Sequence, residues 1–169
     1  ADRLSLALPL FATMTDEEQR LFRALSVFAG CALDAAEDVC AGDVETLQSL
    51  VEKSLLRQRP DADGEPRFWM LETIREYALE QLGDTGELES AMRRHGAWFA
   101  ELAECLDVES GTGDHAASVA RLTDDYPNLR AAIDRARERD DGELLLRLAT
   151  SLWTYWSTVG YVAEGRRAL

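Results

Sequence analysis

Lysine is nearly missing from this chain. Lys53 stands alone beside seventeen arginines, and Asn128 is the single asparagine. Cysteine is scarce and odd in number: Cys31, Cys40 and Cys105, with no CxxC spacing. That excludes a disulfide framework, suits a reducing compartment such as the cytoplasm, and leaves Cys31 and Cys40 as small core residues. No apolar run reaches the ~18 residues of a membrane helix, and no secretory leader pattern is present. A GxxxxGK[ST] phosphate loop is missing, as are a GxSxG elbow and an HExxH pair, so the chain offers no enzymatic centre of those kinds. The two histidines, His95 and His115, find no third metal ligand at useful spacing.

Positive charge is in short supply overall. The net charge is −14 and the pI about 4.5. Residues 1–85 carry 8 basic and 17 acidic side chains, and residues 86–169 carry 10 and 15. Neither half is a basic module, so attraction to a phosphate backbone is not the expected mode of action. Hydrophobic content of 46% fits a globular protein with real cores.

Residues 1–12 read as a lead-in, and Pro9 disfavours helix at Leu8. Thr15 and Glu18 stand at capping-box spacing and start a helix that carries Leu21, Phe22, Leu25 and Phe28, with Gly30 as its stop. A second helix is expected from Leu33 to Cys40, broken at Gly42, and a third from Asp43 to Ser54 with Leu47 and Leu50 on one face. Residues 55–59 and 67–71 are strand candidates around a turn cluster that contains Pro60, Gly64 and Pro66. A helix from Glu72 to Leu82 closes the set. Three helices, one hairpin and a closing helix make a winged-helix arrangement over residues 13–84.

Gly83 to Gly86 is the expected domain boundary. Residues 87–169 read as antiparallel helices: a stripe of Leu88, Met92, His95, Phe99 and Leu102, then Pro127 in a first turn, then Leu145, Leu148, Leu152, Trp156 and Val159. A final helix is expected near Val162. The fold class is therefore mainly α, a winged helix followed by a helical repeat-like domain. Ala1 and the arrest at Leu169 in mid-pattern predict a piece cut from a longer protein.

Several motifs resemble one family. Leu25-Ser26-Val27-Phe28-Ala29-Gly30, then Leu50-Val51-Glu52-Lys53-Ser54-Leu55-Leu56, then Arg67 to Ala78 resemble the winged-helix segment of large actinobacterial regulators built on signal-transduction ATPases with numerous domains, the STAND class. Many of those carry a LuxR-type DNA-binding domain elsewhere, and others an antibiotic-regulator or cyclase domain. Arg93-Arg94-His95, Asn128 to Ala132, Leu152-Trp153 and Glu164 to Arg167 resemble their linker and first tetratricopeptide-like repeat. The resemblance implies ATP or ADP on an upstream domain, and repeats downstream that sense a ligand or partner. The winged helix then relays nucleotide state by packing, without chemistry of its own. In related ATPases a Met-His-Asp sequence touches the ADP phosphate, and the matching positions here are Met70, Leu71 and Glu72, where leucine replaces the donor.

Two other functions compete with this relay. One is a DNA-binding winged-helix regulator using Lys53, Arg57, Arg59 and Arg67, against which Asp43, Glu45, Glu52, Asp61, Asp63 and Glu65 weigh. The other is a protein-interaction scaffold, whose partner surface would include Trp153, Tyr155, Trp156 and Tyr161.

Overall fold

The computed structural model describes residues 10–61, 64–106 and 115–161. The chain divides into two compact units, residues 1–94 and 95–169. The final helix expected near Val162 lies outside the described residues.

In the first unit, helix α1 (Asp16–Leu25) is started by the full capping box, Thr15 and Glu18 bonding reciprocally at 3.2 and 3.0 Å. It ends at Leu25, five residues before Gly30. The Ser26 hydroxyl bonds the Arg23 carbonyl at 2.6 Å, and Ser26, Val27 and Phe28 donate three residues back. This tighter winding ends the α-helix while keeping Val27 and Phe28 buried.

Strand β1 (Cys31–Ala32) leads into α2 (Leu33–Cys40). Ala41 takes the left-handed conformation at φ 49°, so it ends α2. Gly42 serves packing: a Cβ there would lie 2.9 Å from Leu21 Cδ1 and 3.1 Å from the Ala36 carbonyl. Helix α3 (Val44–Glu52) is capped by Asp43, which accepts from the Thr46 amide at 2.8 Å. Its Leu47 and Leu50 are fully buried.

Strands β2 (Arg57–Pro60) and β3 (Pro66–Trp69) form the expected hairpin. The hairpin does not stand alone, because β1 pairs with β3 through Cys31↔Phe68 and Ala32↔Arg67. The sheet order is β1-β3-β2, all antiparallel. Helix α4 (Glu72–Asp84) closes the unit with Ile74, Tyr77, Ala78 and Leu82 buried. Phe11, read from sequence as lead-in, packs its ring 5.8 Å from both Phe22 and Tyr77.

Helix α5 (Leu88–Cys105) follows, and His95 to Leu106 belong to the second unit. Its buried line there is His95, Phe99, Ala100 and Ala103. Leu102, expected on that line, is half-buried. Helices α6 (His115–Asp124), α7 (Tyr126–Glu138) and α8 (Gly142–Val159) complete the unit. Pro127 sits in the first turn of α7, where its missing N–H costs nothing. Asp141 caps α8 by accepting from the Leu144 amide at 3.1 Å, and Gly160 ends it at φ 81°. The core collects Leu122, Leu129, Ile133, Leu148, Leu152, Tyr155 and Trp156. Among the described residues no helix is long and apolar enough to cross a membrane.

Candidate functional site

Winged helices often place their third helix, the second of the helix-turn-helix pair, in the DNA major groove. Here that helix is α3, and Leu47 and Leu50 turn inward. The residues left to solvent are Val44, Glu45, Gln48 and Glu52, with the capping Asp43 beside them. Gln48 donates to Glu52 at 3.4 Å along that face. The outward surface is thus anionic, with one exposed valine.

Lys53 would have to supply the positive charge, and it is engaged. Its Nζ pairs with Glu18 Oε1, to which the Ser49 hydroxyl also donates. Lys53 also donates to Ser49 at 2.7 Å. Glu18 is the capping-box acid of α1, so one carboxylate holds the start of α1 and the end of α3 together. Its side chain is only 11% exposed. The hydrogen bonds from Lys53 and Ser49 hold its pKa down at about 2, against the opposing effect of burial.

The other basic candidates are split by the sheet. Arg57 and Arg59 are exposed on β2, and the Arg59 guanidinium lies 5.7 Å over the Trp69 ring. Arg67 on β3 is buried. That corrects the sequence expectation for Arg67: its side chain is packed inside the protein and not open to a phosphate.

The three positions matching a nucleotide sensor fall at the β3–α4 junction. Met70 is buried, and Leu71 is the half-buried N-cap of α4 without a side-chain cap bond. Glu72 is exposed and pairs with Arg75 at 2.7 Å, which lowers its pKa. Arg75 also donates to the Ser26 carbonyl at 3.3 Å, at the end of α1. Glu72 and Arg75 therefore have a structural partner set within the unit.

The end of α2 attracts two further arginines, Arg20, which sequence reading did not single out, and Arg94, quoted there only within the Arg93-Arg94-His95 resemblance. Arg20 donates to the Cys40 and Ala41 carbonyls at 3.0 and 3.2 Å, and Arg94 to the Val39 carbonyl at 3.0 Å. These are orphan carbonyls at a helix C-terminus, where cations are favoured. The residues come from α1 and α5, so no local spacing reveals them. Cys40 is buried there and its thiol is pushed up to about 12 by desolvation, which makes it unreactive.

In the second unit the aromatic candidates also separate. Trp153 and Tyr161 are 47% and 42% exposed, whereas Tyr155 and Trp156 are buried. The Trp156 indole donates to the Tyr126 hydroxyl at 3.2 Å and the Tyr155 hydroxyl to Thr123 at 3.3 Å. Tyr155 and Trp156 are core residues with satisfied polar tips, which corrects their place on a partner surface. His95 is buried between Asn128 Oδ1 at 3.4 Å and Arg135 at 3.5 Å. Burial and the Arg135 charge press its pKa down to about 3, so it is a neutral core histidine. No group of three potential metal ligands occurs among the described residues.

Residues 14–83 match the winged helix-turn-helix domain family. Three mycobacterial proteins, one from Mycobacterium bovis and two from strains of Mycobacterium tuberculosis, are each 38% identical to this chain over 162 residues, 91% of its length. Their names place them provisionally among HTH-type transcriptional regulators. The chain spans about a fifth of the length of these relatives (18%). No solved structure is significantly similar to it. The chain thus carries a winged helix-turn-helix domain and is homologous to proteins named as transcription regulators. Neither the matched family nor those names mention an ATPase or helical repeats.

Proposed function

We propose that this chain is a regulatory segment of a longer transcription regulator, in which the winged helix acts through protein contacts and leaves base reading to another part. One observation carries this: the recognition-helix position presents Asp43, Glu45, Gln48 and Glu52, and its single lysine is held by Glu18. A duplex carries a negative charge about every 1.7 Å, and that face would oppose it. The sequence resemblance to STAND-class regulators extends the reading. There the winged helix is a two-state element that packs on an upstream ATPase core and biases the helices that follow.

The family match and the relatives' names favour a second reading, in which the winged helix itself binds DNA, with Arg57 and Arg59 on the phosphates. Fluorescence anisotropy with a labelled duplex at physiological salt decides between them. The packing reading expects no saturable binding up to roughly 10⁻⁴ M, the weak end of nonspecific affinity. Micromolar binding that weakens with salt and is lost in Arg57→Glu/Arg59→Glu establishes the DNA reading instead. Association with an ATPase core expressed from the same reading frame, in one nucleotide state only, supports the relay. Equal absence of association with ATP and ADP refutes it.

A further inference from the structure

Strand β2 lies at the edge of its sheet and all four of its residues are exposed. The hydrogen-bond alternation of an antiparallel pair says which backbone groups face outward. Asp61 donates to the Glu65 carbonyl at 2.8 Å, so that pair is a bonded one. Stepping along the register, Pro60↔Pro66 is non-bonded, Arg59↔Arg67 bonded, Gln58↔Phe68 non-bonded and Arg57↔Trp69 bonded. The amide and carbonyl of Gln58 and the carbonyl of Pro60 therefore point away from β3.

The charged side chains within the strand, Arg57 and Arg59, are both basic. Arg57 and Arg59 are two residues apart, so they share a sheet face, and the register places Trp69 and Arg67 opposite them on that face. In a chain of net charge −14, this strand concentrates exposed positive charge. Like charges on neighbouring positions of one face repel, and a strand bringing carboxylates to that face relieves the repulsion.

We propose that the open edge of β2 is a docking site for an extended acidic segment of a partner protein, added to the sheet as a further strand. The Gln58 amide and carbonyl supply the backbone bonds, and Arg57 and Arg59 select acidic side chains at alternate positions of the guest. A second copy of this strand is the wrong occupant, because it would set arginine against arginine. A duplex, which would meet the same two arginines through its phosphates, is the occupant that the test separates from the peptide. This edge is separate from the α3 face on which the functional reading rests.

The test uses the full chain and a fluorescent octapeptide alternating aspartate and valine. Saturable binding is expected. The Arg57→Glu/Arg59→Glu variant should weaken it by about tenfold or more and prefer a peptide alternating lysine and valine. Both side chains are exposed, so the variant keeps its fold, which circular dichroism verifies. In the wild-type chain the Gln58 amide should gain hydrogen-exchange protection on peptide binding. Equal binding of acidic and basic peptides, no protection at Gln58 at saturation, or indifference to the charge reversal overturns the proposal. So does binding of a DNA duplex through the same arginines without any binding of the peptide.

Discussion

Replacing Glu18 with glutamine removes the charge that joins α1 to α3. Glutamine keeps the length and one acceptor oxygen, enough for the Thr15 amide, but loses the second oxygen that accepts from Ser49 and the charge that meets Lys53. The native pKa of about 2 against an ordinary 4.5 corresponds to about 3 kcal/mol of preference for the ionised form. Lys53 is partly open to solvent, with 29% of its side chain exposed, so screening reduces this to about 2 kcal/mol. The sign follows from the lowered pKa. The carboxylate's stabilisation is complete above the unfolded value of 4.5 and disappears as pH falls toward about 2. Urea unfolding of wild type and Glu18→Gln should differ by about 2 kcal/mol at pH 7, and the difference should shrink below pH 4.5 and close as pH falls through about 2. Taking the difference between the proteins cancels every other titrating group. A Lys53→Met variant closes the double-mutant cycle, and the coupling should be about 1 kcal/mol or more. A difference under ~0.5 kcal/mol at pH 7, or one that stays constant down to pH 2.5, would show that Glu18 and Lys53 do not hold the helices together.

His95 predicts pH dependence in a different window. Its native pKa of about 3 lies below the unfolded value of 6.5, so the unfolded chain binds the extra proton. Stability should be flat above pH 6.5 and fall by up to about 1.4 kcal/mol per pH unit below it, a slope that His95→Gln removes between pH 6.5 and 5. Gly42→Ala should cost about 1–3 kcal/mol in thermal or urea unfolding, because its Cβ meets Leu21 at 2.9 Å. Trp156→Ala should cost about 3–5 kcal/mol, while Trp153→Ala on the same helix should stay within ~0.5 kcal/mol. The reverse order by calorimetry would refute the assignment of core and surface on α8.

Features that depend on three or four neighbouring residues were legible from the amino acids alone. Thr15 with Glu18, Asp43 before α3 and Pro127 in the first turn of α7 act within one helical turn, where side chain meets backbone amide. The hairpin and the net acidity of the third helix were equally plain. Tertiary structure alone decided the rest. Strand β1 has two residues, too few for a periodic signal, and exists because β3 offers it a free edge. Gly30 is no helix stop, since Ser26 bonds back to Arg23 and tightens the chain first. Trp153 and Tyr155 are two positions apart on one helix, yet only the packing of α6 and α7 against α8 separates the exposed ring from the buried one. Lys53 is the clearest case. Sequence shows a single lysine on a recognition helix, whereas the fold brings it to a carboxylate 35 residues away and turns a possible DNA contact into a brace between two helices.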